Sequence, residues 1–154
     1  MKRISTRGII FIGDKIALMH RIKKDNEYYT LPGGGLEVEN DELLTDGVVR
    51  EIYEEFGISI KPTKLSYVET NEKQTSYYFL CEYISGEFGS GQGEEYGDNR
   101  DVERYGTYEP QLIDIDKLND LPLVPIHIKE ELIKDINKFG KDLANDIKNL
   151  TIEE

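Results

Sequence analysis

The sequence is poor in soft and redox-active ligands. It has one cysteine and two histidines in 154 residues. Cys81 alone excludes an internal disulfide, and its place in the apolar run YYFLCEYI marks it as a buried structural thiol. His20 and His127 lie far apart and have no metal-ligand spacing. No stretch approaches the ~20 apolar residues of a membrane-spanning helix. The amino-terminal MKRISTRGIIFIG is basic, but its apolar part is too short for a secretion signal, so the expected compartment is the cytoplasm. Basic residues are in deficit as well: 19 Lys and Arg stand against 31 Asp and Glu, for a formal net charge of -12. Such a chain should repel nucleic-acid backbones and anionic membranes. An anionic phosphate substrate would need cations to approach it.

What is present suggests one soluble domain over residues 1–154, long enough to bury a core. Ile4 to Phe11 and Lys15 to Ile22 read as strands joined by a Gly13-Asp14 hairpin turn. Tyr28 to Leu31 is a short third strand that ends at Pro32. Asp41 to Phe56 reads as a helix stopped by Gly57. Ile58 to Ile60, Lys64 to Glu69, Ser76 to Ile84 and Tyr108 to Ile115 read as further strands. Gly86 to Gly106 is polar and carries six glycines, the pattern of a mobile loop that is either functional or disordered. In the last third, Asp116 is placed to cap a short turn and Pro125 to open a helix. Ile128, Leu132, Ile136, Phe139, Leu143, Ile147 and Leu150 follow helical steps as one apolar stripe. The expected architecture is α/β, with a mixed sheet covered on both faces and a carboxy-terminal helix.

The most informative stretch is LPGGGLEVENDELLTDGVVREIYEEFGISI, Leu31 to Ile60. On a helix of ~100° per residue, Leu44, Val48, Val49, Ile52 and Phe56 form the core face. Glu51, Glu54 and Glu55 stand at i, i+3 and i+4 and form one acidic cluster. Glu55 falls between Leu44 and Val48, with Glu51 beside it and Glu54 on the outer side. Carboxylates at a seam with the core repel one another and resist ionising. A hard divalent cation with oxygen ligands, Mg²⁺ or Mn²⁺, removes that conflict. Gly47 projects into the same face and leaves room for an ion, a phosphate or a neighbouring loop, although glycine costs a helix interior up to ~1 kcal/mol. The competing reading is an acidic surface helix with an incidental glycine.

The run resembles the Nudix box of the MutT-like pyrophosphohydrolases. Glu42, seven residues, then Arg50-Glu51-Ile52-Tyr53-Glu54-Glu55-Phe56-Gly57-Ile58 match that pattern at every specified position. Gly33-Gly34-Gly35-Leu36-Glu37 resembles its start. Seven residues rather than five separate Gly34 from Glu42, so the glycine loop carries a two-residue extension at EVEND.

The resemblance implies an α/β/α sandwich and hydrolysis of a nucleoside diphosphate linked to another moiety, by water attack at phosphorus. It implies Mg²⁺ or Mn²⁺ on Glu51, Glu54 and Glu55, and a general base at Glu54, with Glu94 and Glu95 of the later loop as rivals. Arg50 would position the glutamates, with Glu54 and Glu42 as partners, and Gly34, Gly35 and Glu37 would border the substrate. The partner implied is a small nucleotide, and a homodimer is left open. The alternative is a Nudix-like nucleotide-binding domain without catalysis. A Ca²⁺-binding module is disfavoured, because there is no EF-hand spacing.

Overall fold

A computed structural model describes residues 2–93 and 102–152. Its strands are β1 (Arg3–Ile12), β2 (Lys15–Lys23), β3 (Asn26–Thr30), β4 (Gly33–Gly35), β5 (Ser59–Thr70), β6 (Gln74–Ser85), β7 (Thr107–Asp114), β8 (Leu123–Val124) and β9 (Lys148–Thr151). Its helices are α1 (Leu44–Phe56), α2 (Val102–Tyr105) and α3 (Ile126–Phe139). The strands form one mixed sheet in the order β8-β3-β2-β1-β6-β5-β9, with β4 pairing β1 and β7 pairing β2. The β1–β2 hairpin closes at Gly13, whose φ of 62° suits the turn.

Alternation along the strands builds two cores. Ile9, Ile16, Leu18 and Tyr78 point to one face, where Ile128 and Leu132 of α3 cover them. Their neighbours Ile10, Ala17, Met19 and Phe79 point to the other, where Val48, Ile52 and Phe56 of α1 cover them. A strand buried on both faces reads as a near-continuous apolar run, which is why β1, β2 and β6 were legible. The expected sandwich is therefore the observed architecture. Cys81 lies in the α1-side core, and burial pushes its thiol up to about 12.

Several boundaries differ from the sequence reading. Helix α1 begins at Leu44, not Asp41, because Asp41 adopts φ 55° at the end of a 3-10 turn over Val38–Asn40. Glu42 therefore precedes the helix rather than lying on its first turn. Ile58 to Ile60 and Lys64 to Glu69 belong to one strand, interrupted by register shifts at Pro62/Lys64 and Leu65/Tyr67. Pro125 occupies the cap position before α3, and Asp114 rather than Asp116 caps the preceding 3-10 turn, without a side-chain bond.

The carboxy-terminal apolar stripe is not one helix. Helix α3 stops at Phe139, where Gly140 adopts φ 72°, and the chain returns as β9 to pair parallel with β5. Leu143 still reaches the α3-side core, whereas Phe139 and Ile147 are about half exposed. Sheet hydrogen bonds along the edge of β5 outweigh the helical period here, and period alone cannot reveal that competition.

One buried network ties these last elements together. Asp135 on α3 is 2% exposed; Tyr67 Oη donates to it at 2.7 Å and Lys148 Nζ at 2.6 Å. Removing the acid strands a buried hydroxyl and leaves Lys148 with Glu131 alone, so Asp135→Ala should cost about 3 kcal/mol in urea denaturation. A loss below about 1 kcal/mol would show that the network does not hold β9 and α3 in place.

Candidate active site

Helix periodicity delivers the acidic face, and the glycine strand meets it. Glu55 is buried at the inner edge, where its Oε2 accepts the Gly33 N–H at 2.8 Å. The Glu51 side chain is 17% exposed and lies against Gly34. A Cβ at Gly34 would come within 2.7–2.8 Å of the Glu51 carboxyl atoms, so only glycine lets that carboxylate settle on the backbone. Gly33 is equally constrained: its Cβ would sit 2.0 Å from the Thr6 carbonyl oxygen on β1. Glu54 is 43% exposed, so the expected desolvation holds for Glu51 and Glu55 and not for Glu54, which faces outward. Burial lifts the Glu51 carboxyl above the ordinary range, against the downward pull of Arg50.

Arg50 is the hub. Its Nε donates to Glu42 Oε2 at 2.7 Å and its Nη2 to Glu42 Oε1 at 3.0 Å, a bidentate fork. Its Nη1 reaches Glu51 at 3.1 Å and Glu54 at 3.2 Å, and Nη2 also donates to the Gly35 carbonyl at 3.1 Å. Glu37 completes the circle at 3.7 Å. Glu42 in turn accepts the Glu37 N–H at 2.9 Å, which closes the extended loop onto the helix. The Arg50 guanidinium holds the Glu42 carboxyl below the ordinary range.

The other end of the helix is clamped. Gly89 N–H donates to the Phe56 carbonyl at 2.9 Å and Gly93 N–H to the Glu54 carbonyl at 2.9 Å, satisfying end groups that α1 leaves unpaired. A Cβ at Gly91 would meet the Glu55 carbonyl oxygen at 2.2 Å. The rival bases Glu94 and Glu95 lie outside the described residues.

Sequence reasoning missed the basic wall. Strands β1 and β2 bring Arg3, Arg7 and Arg21 to a polar cavity of about 510 Å³, which Glu51, Glu55 and the three glycines also line. Arg7 Nη1 donates to the Leu31 carbonyl at 2.9 Å. The Arg21 guanidinium lies 3.7 Å over the Tyr108 ring, also in the wall, and donates through Nε to the Thr107 carbonyl at 2.9 Å. The four-residue spacing of Arg3 and Arg7, which puts both on one strand face, was the available signal. Of the strand tyrosines, Tyr28 lines the cavity, whereas Tyr29 and Tyr78 are in the core.

Oxygen-only donors on one helix face and a glycine cradle against Glu51 fit a hard divalent cation such as Mg²⁺ or Mn²⁺. Among the described residues no three Asp, Glu, His or Cys side chains are already gathered into a metal cage. Arg50 holds Glu51 and Glu54, and the Gly33 N–H holds Glu55.

The NUDIX domain family model matches residues 1–127. A MutT-like protein of Streptomyces ambofaciens is 34% identical over 85 residues, 54% of this chain and 53% of that protein. The chain thus spans about half the length of that relative. Among solved structures, an ADP-ribose pyrophosphatase from Streptococcus suis superposes with a TM-score of 0.65 at 21% identity, covering 97% of this chain and 99% of that one. A NUDIX hydrolase from Nitrosomonas europaea gives 0.69 at 20% identity, covering 98% and 80%. At these identities the likeness shows the fold alone. Among the described residues no helix is long and apolar enough to cross a membrane.

Two measurements probe this geometry. Glu42 has a lowered pKa in the fold, so its pair with Arg50 contributes stability above the ordinary carboxylate value of ~4 and loses it as pH falls through the lowered value. Arg50→Ala should cost about 2 kcal/mol at neutral pH and flatten the acid limb of the stability curve; an unchanged limb would remove Arg50 from the hub. Gly47 clears the glycine loop: its Cβ would lie 2.8 Å from Leu36 Cδ1 and 3.3 Å from Glu42 Oε1 and Thr6 Oγ1. Gly47→Ala should gain helix propensity of up to ~1 kcal/mol and give part of it back by displacing Leu36. Gly47→Leu should push the loop off the helix and lower both stability and activity. Full activity in the Leu variant would make the glycine incidental.

Proposed function

The chain belongs to the NUDIX domain family, and from that premise we propose that it hydrolyses a nucleoside diphosphate linked to another moiety, by water attack at phosphorus. The substrate class takes in nucleoside triphosphates, ADP-ribose, nucleotide sugars and dinucleoside polyphosphates. One observation carries the reading: a cavity with Arg3, Arg7 and Arg21 on its sheet side and Glu51 and Glu55 on its helix side. A pyrophosphate would be repelled by the carboxylates alone. The three guanidiniums offer its oxygens charge-assisted hydrogen bonds and account for how an anion enters a chain of net charge -12.

Mg²⁺ or Mn²⁺ held by Glu51, Glu54 and Glu55 would supply charge neutralisation and an acidified water. Glu54, the most exposed of the three, is the proposed base and takes the proton of the attacking water on a carboxylate oxygen. The water oxygen bonds to phosphorus as the bridging P–O bond breaks, and the leaving phosphate carries away the electron pair. Glu94 and Glu95 are the alternative bases. Arg50 positions Glu51 and Glu54, and Glu42 holds Arg50. Gly34, Gly35 and Glu37 border the substrate. The partners proposed are small nucleotides, not nucleic acid or membrane, for a cytoplasmic enzyme that works as a monomer or a homodimer.

The test is a nucleotide screen with Mg²⁺ and Mn²⁺, with products identified by mass. Excess EDTA should abolish turnover. Glu54→Gln and Glu55→Gln should each lower kcat about a hundredfold with the fold intact. Glu51 must be ionised to bind a cation and its pKa is raised, so activity should fall as pH drops through that raised value. Turnover in EDTA, or a flat rate from about pH 6 to 9, would refute the metal role. Tight nucleotide binding with no turnover of any substrate would instead support the non-catalytic reading.

A further inference from the structure

A second, smaller cavity of about 220 Å³ adjoins the first. Arg7 and Thr30 line both, so a ligand whose phosphates lie among the arginines has its other end beside this recess. Leu31, Tyr78 and Pro125 supply apolar walls. Glu69 of β5 also lines the recess; it is 5% exposed, and its Oε2 has no hydrogen-bond partner. Two basic groups lie near it, His127 and Arg7; Arg7 donates to the carbonyls of Leu31 and Gly33, and neither is bonded to Glu69 Oε2. Ser76 is engaged too: it accepts from Ser5 Oγ at 2.8 Å and from Gln74 Nε2 at 3.1 Å.

A buried acceptor without a donor is costly, and among the described residues none donates to Glu69 Oε2. The recess resembles a ligand site: apolar walls with a few polar groups, of which Arg7, Gln74 and Ser76 are already hydrogen-bonded. Its volume lies below the ~300–1,000 Å³ that encloses a whole drug-sized ligand, which suits one ring system rather than a complete nucleotide. Building on the nucleotide reading above, we propose that this recess receives the nucleobase and that Glu69 selects a base bearing an amino group. An exocyclic N–H₂ donates to the carboxylate, whereas an oxo group at the same edge turns a second acceptor towards it. The flat faces of such a base match the Leu31, Tyr78 and Pro125 walls.

The experiment is calorimetric binding of nucleoside monophosphates to the full chain, without metal and without turnover. GMP and IMP differ only in one amino group, and CMP and UMP exchange an amino for an oxo group. Wild type should bind the amino-bearing member of at least one pair about tenfold or more tightly, the loss expected when a buried acceptor is left without its donor. Glu69→Gln should bring that ratio to within about threefold, with inorganic pyrophosphate affinity unchanged. Glu69→Asp keeps the charge but withdraws it from the recess; it should also shrink the ratio, and it decides the matter if the Gln variant does not fold. No preference in wild type, no measurable binding of any of the four, or a preference that survives in the folded variants would overturn the proposal. Loss of the hydrolytic reading shows separately, as nucleotide binding with no turnover of any substrate in Mg²⁺ or Mn²⁺.

Discussion

Like charges cannot be gathered at the edge of an apolar core unless something holds them there, and in this chain the holder is Arg50. Its planar fork binds Glu42 with two bonds, reaches Glu51 and Glu54 on the same helix, and takes the Gly35 carbonyl besides. A lysine could not do this, because a point charge has no geometry to match a carboxylate and a carbonyl at once. The result joins three segments that sequence separates: the glycine strand, the extended loop with its αL Asp41, and the helix. Glu42 lies outside the helix, yet it is the residue that fixes the orientation of Arg50.

The second constraint is steric. Two of the three glycines of β4 answer to close neighbours. A side chain at Gly33 would strike the backbone of β1, and one at Gly34 would strike the Glu51 carboxylate. The acidic helix can therefore lie flat against the sheet edge while Glu55 is satisfied by a backbone N–H. From the far side, residues 86–93 bond to the carbonyls at the end of α1, so the helix that carries the acids is fixed at both ends. Across the cavity, the arginines of β1 and β2 supply the positive counterpart. Net charge alone gives no hint of that polarity, since -12 over the whole chain conceals a local basic wall.

The sequence by itself determined the elements whose pattern is local. Doubly apolar runs marked β1, β2 and β6, a 3.6-residue period marked α1, and the spacing of Arg50, Glu51, Glu54 and Glu55 put chemistry on one helix face. Tertiary structure decided what depends on distant partners. The carboxy-terminal stripe looked helical throughout, but β5 offered an unpaired edge, and Lys148–Thr151 took it as a strand. Glu69 read as one more acid on a strand until the fold buried it beside an apolar recess. Arg3, Arg7 and Arg21 became one wall only through the pairing of β1 with β4 and the hairpin into β2. Helical and strand periods are properties of a few consecutive residues. Which charges face one another is set by sheet register and packing, and these join residues far apart in the chain.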